Sequence, residues 1–108
     1  MKISFDVDGT YSEYQDEFDS LALMLQQSGH EVGFLTGRDE EESPIEKDFE
    51  LGFEPNFTYY LGLDPDETSD SRCMAKAQKM MEEGIDCHYD DEEPFPDYVF
   101  VIHIEPNG

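Results

Sequence analysis

The segment KISFDVDGTYS carries two aspartates, Asp6 and Asp8, one residue apart where an alternating apolar run meets a Gly-Thr break. In a strand alternate side chains share a face, so Asp6 at the last position and Asp8 just past it should project toward one point. Two carboxylates held that close disfavour each other's ionisation unless a positive group lies between them. A divalent cation is the obvious candidate for that group. Polar residues stand at comparable places elsewhere: FLTGR closes an apolar run with Thr36 and Gly37, and CHYDDEE closes another with Asp90 and Asp91.

The elements that must carry these residues follow from pattern. Ile3, Phe5 and Val7 alternate with polar partners, which predicts a first strand over Lys2 to Val7. Phe18, Leu21, Leu23, Met24 and Leu25 recur at helical spacing, predicting a helix from about Glu17 to Gln27 with Gly29 as its stop. Val32 to Leu35 predicts strand two. Ser43, Pro44 and Glu46 read as an N-cap, a first-turn proline and a capping-box glutamate, so a second helix is expected from Pro44 to about Leu51. NFTYYLGL predicts strand three, with Phe57, Tyr59 and Tyr60 as core or sheet-face residues rather than a stacking platform. A third helix is expected from about Arg72 to Glu83 with Gly84 closing it, then strand four over IDCHYDD and strand five over DYVFVIHI.

Strands alternating with helices imply βαβ units, right-handed crossovers and a mostly parallel sheet, with ligands bound outside the carboxyl ends of the strands. On this reading the first, second and fourth strands deliver polar groups to one edge. At 108 residues the chain fits a single domain.

FDVDGT, FLTGR, a lysine on a following helix, and YDDEEPFPD resemble, in order and spacing, the four motifs of the haloacid-dehalogenase-like superfamily, most of whose members are phosphatases. The resemblance runs from Met1 to about Asp97. It implies a three-layer Rossmann-like sandwich with strand order 5-4-1-2-3, and a Mg²⁺-dependent phosphomonoesterase. By the same resemblance Asp6 is the nucleophile, forming an aspartyl-phosphate, and Asp8 is the general acid and base. Thr36 and the Gly37 amide hold the phosphoryl group, and a lysine neutralises it; Lys76 fits the family's spacing ahead of the acidic strand better than Lys79. The implied Mg²⁺ ligands are the Asp6 carboxylate, the Asp8 backbone carbonyl and Asp90, with Asp91 direct or through water. The spans from Thr10 to Thr36 and from Thr36 to Lys76 are consumed by the predicted elements, so the chain resembles a member without a cap domain, open to large substrates as well as small esters.

Charge narrows the partners. Twenty-eight acidic residues against 6 basic ones give −22, a surface that repels nucleic acid and anionic membrane at low ionic strength. Such acidity fits a high-salt cytoplasm, in a halophile or a virus of one, and equally an acidic protein that gains solubility from its charge. A polynucleotide end-phosphatase is a narrower variant that would need screening salt. The alternative class is a binding module that keeps the metal site without turnover. No apolar run has the length of a membrane span and the N-terminus lacks a secretory pattern, so a cytoplasmic location is expected. Cys73 and Cys87 read as reduced, partly buried thiols. His30, His88 and His103 read as structural, and Arg38 as either a phosphate contact or the partner of a neighbouring acid. With no final helix after strand five, the face near Tyr98 to Ile104 is expected to be exposed and to support a homo-oligomer.

Overall fold

The computed structural model describes residues 1–105. Its five strands are β1 (Lys2–Phe5), β2 (Glu31–Thr36), β3 (Thr58–Tyr60), β4 (Cys87–Asp90) and β5 (Val101–His103), with helices α1 (Gln15–Gln27), α2 (Ile45–Asp48) and α3 (Ser69–Glu83) between them. All four strand pairings are parallel and the sheet order is β3-β2-β1-β4-β5. This is the expected α/β sheet, read from its opposite edge.

Strand alternation sorts the core into two layers. On β2, Phe34 turns toward α1 and joins Phe5, Val32, Phe18 and Ala22, while its neighbour Leu35 packs with Met80 of α3. The α1 side is aromatic: Phe5 lies 4.7 Å from Phe18 and 5.5 Å from Tyr89, ring centre to ring centre. Each such ring taken fully out of water contributes about 1.5–3 kcal/mol. On the α3 side β1 and β4 present Ser4, His88 and Asp90 instead, all fully buried. That layer is polar where the sheet approaches its carboxyl edge. Gly33 lets β3 close on β2, because a Cβ there would collide with the carbonyl oxygen of Phe57.

Several boundaries differ from expectation. β1 ends at Phe5, because Val7–Tyr11 coils into a tight turn with Gly9 at φ 87°. α3 starts earlier, at Ser69, because Thr68 caps it by accepting from the Ser71 amide. The predicted helix from Pro44 is a single turn, and its capping box does not form: the Ile45 amide donates to the Tyr60 hydroxyl, 3.0 Å away, in place of a Ser43 cap. Phe49 and Phe53 then continue as irregular chain that covers the α1-side core. β5 keeps only three residues of the predicted run, and Tyr98 and Phe100 ahead of it are exposed. Among the described residues no helix is long and apolar enough to cross a membrane.

Candidate functional site

The carboxyl ends of β1, β2 and β4 open onto a cleft of about 380 Å³. Asp6, Asp8, Thr36, Gly37, Arg38 and Lys76 line it. The predicted residues Asp90 and Asp91 do not line it but stand beside Asp6: a carboxylate oxygen from each of Asp6, Asp90 and Asp91 falls within 4.8 Å of the others.

Lys76 organises this group. Only 2% exposed, it reaches from α3 to place Nζ 2.9 Å from Asp6 Oδ1 and 2.8 Å from Asp90 Oδ2. Burial disfavours its ammonium, but the two carboxylates outweigh that and hold it firmly charged. Lys79 lies outside the cleft, paired with Glu83 at 3.7 Å and lying over the Tyr59 ring.

The remaining bonds fix the acids in place. Thr10 Oγ1 stands 3.2 Å from Asp6 Oδ2 and 3.3 Å from Asp91 Oδ1, so one hydroxyl links two acidic arms. Gly9 permits that approach, since a Cβ there would run into the Asp91 carboxylate. Asp90 also accepts from the Glu92 amide at 3.0 Å and contacts His88 Nε2 at 2.8 Å. The other ring nitrogen of His88, Nδ1, lies 2.7 Å from Ser4 Oγ. Burial keeps this imidazole below its ordinary value despite the neighbouring carboxylate, so the ring is neutral near pH 7. One arrangement of protons satisfies all three groups: Nε2–H donates to Asp90 and Nδ1 accepts from the Ser4 hydroxyl.

The two principal acids are held differently. Burial pushes the Asp6 carboxyl well above the usual range, with Lys76 pulling against it and Asp90 adding to the rise. Burial acts the same way on Asp90, but the hydrogen bond from His88 and the charge and hydrogen bond of Lys76 together bring it below that range. One lysine therefore serves three acids, and the unmet negative charge sits at Asp6. A hard divalent cation suits such a donor set, because carboxylate oxygens are its preferred ligands and each acid retains lone pairs not engaged in hydrogen bonds.

Asp8 departs from expectation. Its carboxylate lies outside the group that Asp6, Asp90 and Asp91 form. It receives two hydrogen bonds from Arg38, at 2.9 Å from Nε and 2.8 Å from Nη2. The cause is local: the chain leaves extended geometry after Asp6, so the side-chain alternation that would have aligned the pair ends there. Of the two roles considered for Arg38, the structure shows the acidic partnership. The Arg38 backbone amide also donates to Thr36 Oγ1 at 3.2 Å, which leaves the threonine hydroxyl proton for a ligand in the cleft.

Sequence reasoning passed over two participants. Thr10 belonged to the quoted DGT run without a role, and His88 was read as structural although His88 and Asp90, two apart on a strand, share a face. Both cysteines are buried and unpaired, and burial pushes the Cys73 thiol up to about 12 and the Cys87 thiol to about 11. Comparison with family models, curated proteins and solved structures found no match to this chain.

Proposed function

We propose that this chain is a Mg²⁺-dependent phosphomonoesterase, an uncapped member of the haloacid-dehalogenase-like superfamily. The observation that carries the reading is the Lys76 bridge between Asp6 and Asp90, with Asp91 in the same cluster and Thr36 on the same cleft. A lysine buried between two carboxylates, one raised by burial and the other held low, is costly to build for stability alone.

The proposed reaction has two balanced halves. An Asp6 oxygen attacks phosphorus, the ester P–O bond breaks, and the leaving oxygen takes a proton from Asp8. Water then attacks the phosphorus of the aspartyl-phosphate and gives its proton to Asp8, which returns inorganic phosphate and the free Asp6 carboxylate. Thr36 and the Gly37 amide bind phosphoryl oxygens, and Lys76 balances the charge gathered at Asp6. Asp6, Asp90 and Asp91, with the Asp8 carbonyl, would hold Mg²⁺, which when bound offsets repulsion between the phosphate and the acidic cluster.

The outer wall of the cleft bears on the substrate. Asp39, Glu42 and Asp64 line it, beside a Glu92 already paired with Arg72, so the leaving group should carry few further negative charges. That disfavours a polynucleotide end at low salt and favours neutral or cationic alcohols.

Hydrolysis of an aryl phosphate tests the reading, using wild type and Asp6→Asn, with and without Mg²⁺, in low and multimolar salt. Metal-dependent turnover that vanishes in Asp6→Asn supports it. Folded protein that binds Mg²⁺ but turns over nothing in any condition would instead make the chain a binding module.

A further inference from the structure

Arg38 is a tightly held charged side chain on the cleft wall outside the Lys76 cluster. Its side chain is 12% exposed, whereas that of its partner Asp8 is 63% exposed. Nε and Nη2 go to the two Asp8 oxygens, and Nη1 donates to Asp48 Oδ2 at 2.9 Å and to the Ser43 carbonyl at 3.3 Å. The guanidinium carbon lies 5.6 Å from the Phe49 ring centre. Four of its five N–H groups are thus committed to protein acceptors, so a phosphate would find little left to bind.

Asp8 shows the complementary need. It sits in a turn with Gly9 next to it at φ 87°, and among the described residues its carboxylate is hydrogen-bonded to Arg38 alone. A short, exposed side chain with one anchor takes its direction from that anchor. A two-pronged guanidinium imposes a plane as well as a position, which a lysine cannot do.

We propose that Arg38 is a positioning residue that acts on the reaction through Asp8, holding that carboxylate over the cleft for its proton transfers. The α2 turn is its mount: Ser43, Asp48 and Phe49 flank or lie within the single helical turn whose short, uncapped form the sequence did not predict. This inference rests on the phosphatase reading.

The test is a double-mutant cycle on 4-nitrophenyl phosphate at saturating Mg²⁺, measuring kcat and KM separately. Arg38→Met and Arg38→Lys are each expected to lower kcat about tenfold or more, from the about 10²–10⁴-fold that positioned proton transfer contributes, with little change in KM. In an Asp8→Asn background Arg38→Met should cost less than about twofold, because its target is already gone. Three results would overturn the proposal: an equal loss in both backgrounds, full rescue by lysine, or a rise in KM at constant kcat, which would mark a phosphate contact. A merely structural role gives the first of these, since it does not depend on Asp8. If wild type has no activity, or Asp6→Asn keeps it, the phosphatase reading falls and takes this inference with it; if wild-type turnover depends on Asp6 while the cycle is additive, the inference falls alone.

Discussion

Replacing Lys76 by methionine removes the one cation from a buried acidic cluster while keeping most of the side chain's volume. Lys76 is 2% exposed and Asp90 fully buried, so solvent screening does little for either. The substitution deletes charge-assisted contacts of 2.9 and 2.8 Å and leaves Asp6 and Asp90 facing each other with no cation between them. Removing one partner of a buried ion pair costs about 3–5 kcal/mol. A domain of this size typically has about 5–15 kcal/mol in total, and each kcal/mol moves the midpoint by about 4–8 °C. Thermal or urea unfolding in chelator should therefore show Lys76→Met melting roughly 12–40 °C below wild type. Mg²⁺ at one hundred times its dissociation constant should return about 2.7 kcal/mol. A loss under about 1 kcal/mol in chelator would refute the reasoning, because the cluster would then not depend on Lys76.

Other substitutions test neighbouring parts of the account. Asp6→Asn should be at least as stable as wild type in chelator near pH 7, by about 1 kcal/mol in unfolding assays, because it removes the carboxylate whose ionised form the fold disfavours. His88→Asn should weaken Mn²⁺ binding, read by electron paramagnetic resonance, by about 10–100-fold, since the ring orients a proposed ligand. The same histidine sets a pH dependence. Its folded value is lowered, so below about pH 6.5 the unfolded chain binds the extra proton and stability falls with pH, by up to about 1.4 kcal/mol per unit. That slope should flatten in His88→Asn. Raising salt from about 0.01 to about 1 M shortens the Debye length from about 30 to about 3 Å, and with a charge of −22 the melting temperature should climb across that range.

The sheet was legible because its strands are short apolar runs separated by Gly, Pro and capping residues, and parallel order follows from the alternation of strands with helices. Asp6, Thr36, Lys76 and Asp90 could be named because each stands at a strand end or on the helix that crosses the sheet beside it. Asp8 was misdirected because alternation was carried on to Asp8, although the chain leaves extended geometry after Asp6. The α2 cap failed for a non-local reason: Tyr60, on β3, supplies the bond that Ser43 was expected to make. His88 was overlooked because its tie to Asp90 is fixed through Ser4, a neighbour across the sheet that pairing places directly opposite it.

The central claim is that Asp6 becomes covalently phosphorylated. Wild type mixed with an aryl phosphate and Mg²⁺, quenched in acid and mapped by peptide mass spectrometry, tests it most directly. The account predicts one added phosphoryl group on the peptide containing Asp6, removed by hydroxylamine and absent in Asp6→Asn. Turnover without that adduct, accompanied by undiminished activity in Asp6→Asn, would contradict it.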